Sequence, residues 1–298
     1  MEINFELYKV FYHVAHNRSF SEAANRLFIS QSAVSQSIKQ LETLLHCKLF
    51  FRHTKHVKLT QEGETLFRHI EPAFHFIKAG ERGLSAIHSL HCGEIRIGAS
   101  DTICKHYLLP FLKQFNTLYP EIRINVINRT SPACIDLLQQ GIVDLSIINL
   151  PPQAAYKNMT VHKWQSIHDT FIAGNSYAQL KGRILEPHEL ENLPLLILEA
   201  NTTTRIFFDD FLKKNKLTIQ PEIELGSIDL LVEMAKIGLG VSFVIREYIA
   251  AELEKDEVFP LIINTDFPER YIGLVTNNTI PLSLAARRFS ELLGLTMN

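Results

Sequence analysis

The sequence predicts an α/β protein with a small helical N-terminal part, a long connecting helix and a larger body of strands and helices. Three observations predict this class. Apolar residues recur every three to four positions through residues 3–45, as in helices that bury one face. A heptad-like repeat then covers residues 60–90. From Gly93 onward, short strand-like runs alternate with helical segments.

Length and composition limit the classes of protein to which the chain can belong. Its 298 residues suggest about two domains, and 46% hydrophobic with 21% charged residues is ordinary for a globular protein. No apolar run reaches the ~18 residues of a membrane span, and the N-terminus lacks the layout of a secretory signal. The four cysteines form no CxxC pair. We therefore expect a cytoplasmic protein.

Three short helices are predicted in the first 45 residues. Ser19 or Ser21 can cap the second helix and Ser30 the third, because a hydroxyl accepts from the free amides of a first turn. The third helix has a buried stripe formed by Val34, Ile38, Leu41 and Leu45. Its opposite side carries Gln31, Ser32, Ser35, Gln36 and Lys39. Such side chains read base edges in a major groove, although a solvated polar face has the same composition.

A basic turn follows the third helix, between the β-type runs KLFF and VKLT. Its cations Arg52, Lys55 and Lys58 are expected to hold phosphates. Residues 1–60 carry eight Lys or Arg against four Glu, a net charge of +4 in a chain whose total is −2. Three helices followed by a basic ribbon form a winged helix-turn-helix, in which the third helix enters the DNA groove.

The first 60 residues resemble the LysR-type transcriptional regulators. The block SFSEAANRLFISQSAVSQSIKQLETLL, then KLFFR and VKLTQEG, follows the signature of that family without a gap. One departure is His46, where the family usually has the glycine that ends the recognition helix in a left-handed turn. Histidine tolerates that conformation better than most side chains. The resemblance implies sequence-specific binding to double-stranded DNA by a dimer, or by a dimer of dimers.

A long helix is predicted from residue 61, capped by Thr60. Its apolar seam, spaced alternately by four and three residues, includes Leu66, Ile70, Ala73, Ile77, Leu84 and Ile87. A seam of this period favours a partner helix, although it could instead pack on its own domain. Pro72 should kink the helix or weaken one turn. Similar regulators dimerise through this helix, so the resemblance implies dimerisation here.

The remaining chain alternates strands such as EIRIGAS, RINVINR and VDLSIINL with helical segments, which predicts mostly parallel sheets. The family resemblance continues more loosely here, through Gly141, Asp144, Gly238 and Gly240. It implies a bilobed, periplasmic-binding-protein-like (type 2) effector domain. The expected divisions are a winged head at 1–60, a linker helix at 61–92 and an effector domain at 93–298, with lobe one at 93–162 plus 266–298 and lobe two at 163–265.

Hydroxyl-bearing residues stand at four strand-to-helix junctions of the body. Ligands of open α/β sheets bind at such junctions, and helix N-termini favour anions. Each hydroxyl would equally serve as a simple helix cap. The candidate effector-binding residues are Ser100, Asp101, Thr102, Thr130, Ser131, Thr202, Thr203 and Ser227, with Ile148 and Phe243 as apolar walls. We expect a small anionic or polar effector, although Asp101 could favour a cation.

An enzyme is disfavoured, because the chain contains no GxSxG, P-loop or HExxH motif. His13 with His16, and His53 with His56, have spacings that metal ligands can have. Neither pair has cysteine or carboxylate partners nearby in the sequence, so we expect no metal site and no cofactor.

Two further classes compete with an effector-responsive regulator. A redox-responsive regulator would use Cys104 or Cys134, which lie beside helix starts that can lower a thiol pKa. A small-solute binding protein would have the same bilobed body without a winged head. The expected partners are DNA, a small-molecule effector, further copies of the chain and, for an activator, RNA polymerase. No membrane partner is expected.

Overall fold

The computed structural model describes residues 3–51, 57–88, 93–151 and 156–295, and for 82–88 the backbone alone. The chain divides into two compact units. The first unit holds three short helices and most of a fourth, and the second unit holds the strands and the remaining helices.

The first unit is built on helices α1 (Phe5–Asn17), α2 (Phe20–Leu27) and α3 (Gln31–Leu44). Each begins at a capping side chain that accepts a first-turn amide: Asn4, Ser19 and Ser30. Ser19, and not Ser21, therefore caps α2. Apolar side chains from all three helices form one core, whose fully buried members include Phe11, Val14, Ala23, Val34 and Leu41.

The end of α3 confirms that a histidine can replace the expected glycine. His46 has a φ of 54°, in the left-handed region, and the amide of Cys47 donates to the carbonyl of Glu42 at 3.1 Å. Leu45 lies just past the last helical residue and is half-buried, so the predicted buried stripe of α3 ends at Leu41.

The chain after α3 returns towards the helix as a short antiparallel ribbon. Phe50 pairs with Leu59, and the amide of Phe51 donates to the carbonyl of Lys58 at 3.0 Å. The buried carboxylate of Glu42 ties this ribbon to α3, because it accepts from the Leu49 amide at 2.9 Å.

Helix α4 (Gln61–His88) starts at the Thr60 hydroxyl, which accepts from the amide of Gly63 at 3.0 Å. Gly63 is required there, because a Cβ would lie 2.2 Å from the carbonyl oxygen of Leu49. The helix continues through Pro72 without ending. None of the helices among the described residues is both long and apolar enough to span a membrane.

The second unit contains two five-stranded sheets and a two-stranded one. The first sheet has the order β2-β1-β3-β12-β4, with β1 Gly93–Ala99, β2 Ile122–Asn128, β3 Leu145–Asn149, β4 Met159–Ile167 and β12 Arg270–Asn277. The second has the order β10-β5-β9-β7-β8, with β5 Asp169–Gly174, β7 Leu195–Leu198, β8 Ile223–Leu225, β9 Val241–Ile245 and β10 Val258–Pro260. The small sheet pairs β6 Ile184–Leu185 with β11 Ile262–Ile263.

Seven α-helices accompany the strands among the described residues. They are α5 Asp101–Ile103, α6 Leu109–Leu118, α7 Ser131–Gln139, α8 Thr203–Asn215, α9 Ile228–Lys236, α10 Ala250–Glu254 and α11 Leu284–Leu292 among the described residues, and a π-helical turn, Cys104–Leu108, joins α5 to α6. The order of strands and helices confirms the predicted α/β class.

The expectation of mostly parallel sheets is only partly right. The strands linked by full helical crossovers are parallel, as in β2-β1-β3 and β8-β7-β9. Strands β4, β5, β10 and β12 pair antiparallel instead. The reason is the chain path: β4 runs into β5 with only His168 between them, so this segment crosses from one sheet to the other without a helix.

Candidate DNA interface and ligand cavity

The polar side of α3 is a continuous exposed surface. Every predicted groove-facing side chain on this helix is exposed, and these are Gln31, Ser32, Ser35, Gln36 and Lys39. The opposite side is fixed by Val34, Ile38 and Leu41, which are buried in the core of the first unit. The fold therefore presents amide, hydroxyl and ammonium groups outward from a rigidly packed helix.

The basic ribbon is described only at its base. Lys58 is exposed there, whereas Arg52 and Lys55 lie outside the described residues. Lys48, which the sequence did not single out, pairs with the buried Glu42 carboxylate at 2.9 Å. Lys48 therefore serves the ribbon's attachment to α3.

The predicted seam of α4 divides into two parts. Leu66 and Ile70 pack against the core of the first unit, as expected if this part of the seam packs on its own domain. Ala73 is half-buried, and Ile77 is 43% exposed. The side chains of Leu84 and Ile87 lie outside the described part of the structure.

The second unit contains a cavity of about 310 Å³ at the carboxyl ends of strands from both large sheets. Strands β1, β2 and β3 contribute from the first sheet, and β7 and β8 from the second. The lining residues are Ser100, Asp101, Thr102, Asn128, Arg129, Thr130, Ser131, Asn149, Leu198, Thr202, Thr203, Thr204, Gly226 and Ile228. Hydroxyls and amides dominate this lining.

Seven of the sequence-predicted effector residues line this cavity: Ser100, Asp101, Thr102, Thr130, Ser131, Thr202 and Thr203. Two of their hydroxyls also cap helices, because Ser100 accepts from the amide of Ile103 and Thr202 from that of Arg205. Ser131 accepts from the amide of Asn149 at 3.1 Å, which links two of the junctions.

Three predicted residues do not line the cavity. Ile148 lies in a separate cluster between α7 and the first sheet, and Phe243 lies in the aromatic core of the second sheet. Neither residue lines the cavity, because Ile148 packs against side chains of α7 and Phe243 packs among the aromatic rings of the second sheet. Ser227 caps α9 through the Leu230 amide at 3.4 Å, while its neighbours Gly226 and Ile228 reach the lining. Leu198 and Ile228 provide the apolar surface instead.

Several lining residues were missed by the sequence interpretation. Asn128 and Arg129 immediately precede Thr130, Thr204 follows Thr203, and Asn149 ends the apolar strand β3. A signal that could have found Asn128, Arg129 and Asn149 is a polar residue at or directly after the end of a strand, whereas Thr204 lies in the first turn of α8. Arg129 brings a guanidinium to the lining, and its Nη1 donates to the Asn128 carbonyl at 2.7 Å.

A buried ion pair lies behind the cavity. Arg270 donates from Nε and Nη2 to both carboxylate oxygens of Asp169, at 2.6 and 2.5 Å, and both side chains are almost fully buried. Nη2 also lies 3.3 Å from the hydroxyl of the cavity residue Thr204. Burial raises the pKa of the Asp169 carboxyl, and the Arg270 guanidinium opposes that rise. These residues begin β5 and β12, so the pair joins the two sheets where the chain crosses between them.

The described cysteines lack the surroundings of an activated thiol. Burial raises the pKa of Cys104 and of Cys134 to about 11. Both thiols are therefore protonated near neutral pH, the opposite of what reactivity requires. Cys92 lies outside the described residues.

Among the described residues, His13 and His16 belong to no group of three or more His, Cys, Asp or Glu side chains that could hold a metal ion. His16 lies 3.5 Å from the Glu71 carboxylate. Burial lowers the pKa of His13, and nearby cations lower it further. His53 and His56 lie outside the described residues.

Two family models match the chain. One, described as a bacterial regulatory helix-turn-helix protein of the lysR family, matches residues 5–64, and the other, described as a LysR substrate binding domain, matches residues 88–297. This chain belongs to the LysR family. The resemblance seen in the first 60 residues is thereby confirmed.

Relatives and solved structures of LysR proteins agree along almost the whole chain. The probable RuBisCO transcriptional regulator of Cyanidium caldarium is 28% identical over 285 residues, which are 94% of this chain and 90% of the relative. A variant of full-length OxyR from Pseudomonas aeruginosa superimposes with a TM-score of 0.71 at 19% identity, covering 99% of this chain and 96% of that one. Full-length CbnR in complex with its target DNA gives a TM-score of 0.66 at 16% identity, with coverages of 98% and 99%.

Membership of the LysR family establishes the general function. The chain is a DNA-binding transcriptional regulator with an N-terminal helix-turn-helix and an effector-binding domain. LysR regulators bind DNA and form oligomers. The family is one of transcriptional regulators rather than enzymes.

Proposed function

We propose that this LysR regulator binds a small anionic or polar effector in the cavity of its second unit, and that the effector changes how the oligomer holds DNA. The observation that carries the proposal is the convergence of polar strand ends from both large sheets on one cavity. A ligand there touches both sheets at once, so it favours one arrangement of the two sheets over others.

The charges around the cavity favour an anion. The Oδ1 atom of Asp101 already accepts from the amide and hydroxyl of Thr102, at 2.9 and 3.3 Å. The exposed guanidinium of Arg129 donates one bond to a backbone carbonyl and has further N–H groups that an anion can accept from. The first turns of α7 and α8 add backbone amides, which also favour negative charge.

The proposed functions follow the divisions of the chain that the sequence predicts. Residues 1–60 bind DNA, 61–92 dimerise, and 93–298 bind the effector, with lobes at 93–162 plus 266–298 and at 163–265. Gln31, Ser32, Ser35, Gln36 and Lys39 face the groove, while the ribbon cations hold phosphates. The oligomer is a dimer, or a dimer of dimers, acting in the cytoplasm without a cofactor. Contact with RNA polymerase would follow for an activator.

The test is a thermal-melt screen of the full chain against small carboxylates, phosphates, amines and sugars. A ligand at 100 times its Kd should add about 2.7 kcal/mol to the stability of the unit that binds it. That corresponds to a shift of roughly 5–10 °C for a body of this size. We expect the shift from an anion class.

Two matched variants assign the charge. Arg129→Gln should abolish the shift caused by the anion, and Asp101→Asn should preserve it. A shift produced by amines, and lost in Asp101→Asn, would contradict the anionic assignment. No shift from any class, at millimolar concentrations, would count against the cavity as an effector site.

A redox-responsive regulator has less support. The likeness to OxyR concerns the fold, and burial raises the pKa of both Cys104 and Cys134 to about 11. Hydrogen peroxide should therefore leave DNA binding of the wild type unchanged. Loss of binding that a Cys104→Ser or Cys134→Ser variant prevents would favour the redox function instead.

A further inference from the structure

Phe28 is the most exposed large apolar side chain in the described part of the structure. It exposes 95% of its surface, and the next in rank, Ile237, exposes 71%. A phenylalanine normally stabilises a protein by removing its ring from water. Because the described residues leave this ring almost fully in water, its burial within the described structure does not stabilise the fold.

The backbone does not explain Phe28 either. Its φ and ψ are 55° and 40°, in the left-handed region that bulky side chains avoid. Its amide closes α2 by donating to the carbonyl of Asn25. A glycine or an asparagine would make the same turn more easily. Neither packing within the described structure nor backbone preference therefore accounts for a phenylalanine at this position.

The position of Phe28 indicates a partner. It lies two residues before Ser30, whose hydroxyl caps α3, and the exposed side chains of Gln31 and Ser32 follow directly. In helix-turn-helix proteins, the N-terminal residues of the recognition helix contact base edges. The ring is thus continuous in sequence with the groove-facing surface of α3.

We propose that Phe28 is a DNA contact, whose ring packs against an apolar group of the operator at the N-terminal end of α3. The apolar groups that DNA offers are the 5-methyl of thymine in the major groove and the deoxyribose of the backbone. Of the two residues next to Phe28 in the chain, Leu27 is half-buried and Ile29 is 41% exposed, so Ile29 extends the exposed apolar surface. A protein partner would need a patch of several hundred Å², which one ring and its neighbour do not supply. The inference rests on the DNA-facing role proposed for α3.

The experiment begins by enriching an operator from random duplex DNA with the wild-type full chain. Binding to this operator is then measured for Phe28→Asn, which removes the ring and suits the left-handed backbone, and for Phe28→Leu, which keeps an apolar group. Ile237→Asn, which removes an exposed apolar side chain from the second unit, is the matched control. Thermal melts and light scattering report folding and oligomeric state for each variant.

We expect Phe28→Asn to melt at or above the wild-type temperature and to bind the operator about tenfold more weakly, with Phe28→Leu in between and Ile237→Asn unchanged. Replacing operator thymines singly by uracil removes each 5-methyl group. A uracil that weakens the wild type but not Phe28→Asn identifies the methyl as the contact, and no such position identifies the deoxyribose.

Wild-type affinity in Phe28→Asn would overturn the proposal, as would an equal loss in Ile237→Asn. A lower melting temperature or an altered oligomer in Phe28→Asn would assign the ring to folding or assembly instead. If Gln36→Ala also leaves operator binding unchanged, the DNA-facing role of α3 itself fails. If Gln36→Ala weakens binding and Phe28→Asn does not, only the present inference fails.

Discussion

At the residue scale, Asp169 and Arg270 form an ion pair in which both side chains are almost fully buried. Its two bonds, at 2.6 and 2.5 Å, are made where solvent does not reach. Asp169→Asn leaves the Arg270 charge buried without a counter-charge, so we expect a loss of about 3–5 kcal/mol in the free energy of unfolding. Urea denaturation at neutral pH measures it.

The exposed pair of Lys105 and Asp229, 2.9 Å apart, offers a matched control. Both side chains are more than half exposed, so Asp229→Asn should change stability by less than about 1 kcal/mol. Equal effects of Asp169→Asn and Asp229→Asn would contradict the structural importance of the buried pair.

Recognition of DNA also depends on individual side chains. Gln36 is exposed on the polar side of α3, and Lys58 is exposed at the base of the ribbon. Gln36→Ala should reduce discrimination between operator and random DNA. Lys58→Ala should weaken binding to operator and random DNA by similar factors and lower the salt slope of binding by about one. Binding titrations at several salt concentrations separate the two, and an unchanged slope in Lys58→Ala would contradict a phosphate contact.

Sequence reasoning located residues at strand ends and missed residues that act through tertiary contacts. Ser100, Thr130 and Thr202 follow within four residues of the ends of β1, β2 and β7, so the predicted strand ends were enough to bring them to one cavity. Arg270 and Asp169 are 101 positions apart, and nothing local marks either as a partner of the other. Ile148 failed as a cavity wall because a fully buried strand has no alternation that tells one face from the other.

At the element scale, helices α1 and α4 pack through stacked aromatic rings. Tyr12 stacks on Phe74 with ring centroids 4.6 Å apart, and half-buried His13 lies against the same Phe74 ring at 6.5 Å. Burial lowers the pKa of His13 from its ordinary value of about 6.5. Folding therefore favours the neutral imidazole.

The consequence is a pH-dependent stability of the first unit. Because the folded-state pKa of His13 lies below the unfolded value, its contribution is complete above about pH 6.5 and is lost as the pH falls through the folded-state pKa. His13→Gln should flatten this acid-side loss in thermal melts between pH 7 and 5. Parallel profiles for wild type and His13→Gln would contradict the assignment.

The part of α4 that lies beyond Ile70 is expected to pack against the same helix of a second copy of the chain. Ile77 is 43% exposed on this helix, beyond Leu66 and Ile70, which serve the core of the first unit. A two-fold dimer buries two copies of a seam residue. At about 1.5 kcal/mol or more for each copy, Ile77→Glu should raise the dimer Kd about 100-fold. Analytical ultracentrifugation measures this, with the exposed neighbour Lys78→Glu as control. Equal dimerisation of both variants would exclude Ile77 from the interface.

Element types were more predictable than their pairing. Strands β1, β2 and β3 coincide with the runs EIRIGAS, RINVINR and VDLSIINL that the sequence pattern marked as strands. Strand β4 was missed because it lies at a sheet edge and is mostly half-buried or exposed, which leaves no apolar run. Its direct passage into β5 creates the antiparallel pairings that a simple alternation of strands and helices does not predict.

At the scale of the whole molecule, the two compact units have separate hydrophobic cores among the described residues, although α4 is common to both. Units with independent cores can unfold as independent cooperative transitions. A ligand stabilises only the state and the unit that bind it. An effector in the cavity should therefore act on one unit and leave the stability of the other unchanged.

Differential scanning calorimetry of the full chain tests this separation. We expect two transitions, of which the effector raises only the larger, and Arg129→Gln abolishes that rise. Ile38→Ala, in the core of the first unit, should lower the free energy of unfolding of that unit by about 2–5 kcal/mol and so shift only the smaller transition. If the effector raised the midpoint temperature of both transitions, or if Ile38→Ala and the effector shifted the same transition, the two units would unfold as one cooperative unit. Separate responses would instead require the effector's signal to reach DNA through the arrangement of units in the oligomer, since the stability of the DNA-binding unit would not carry it.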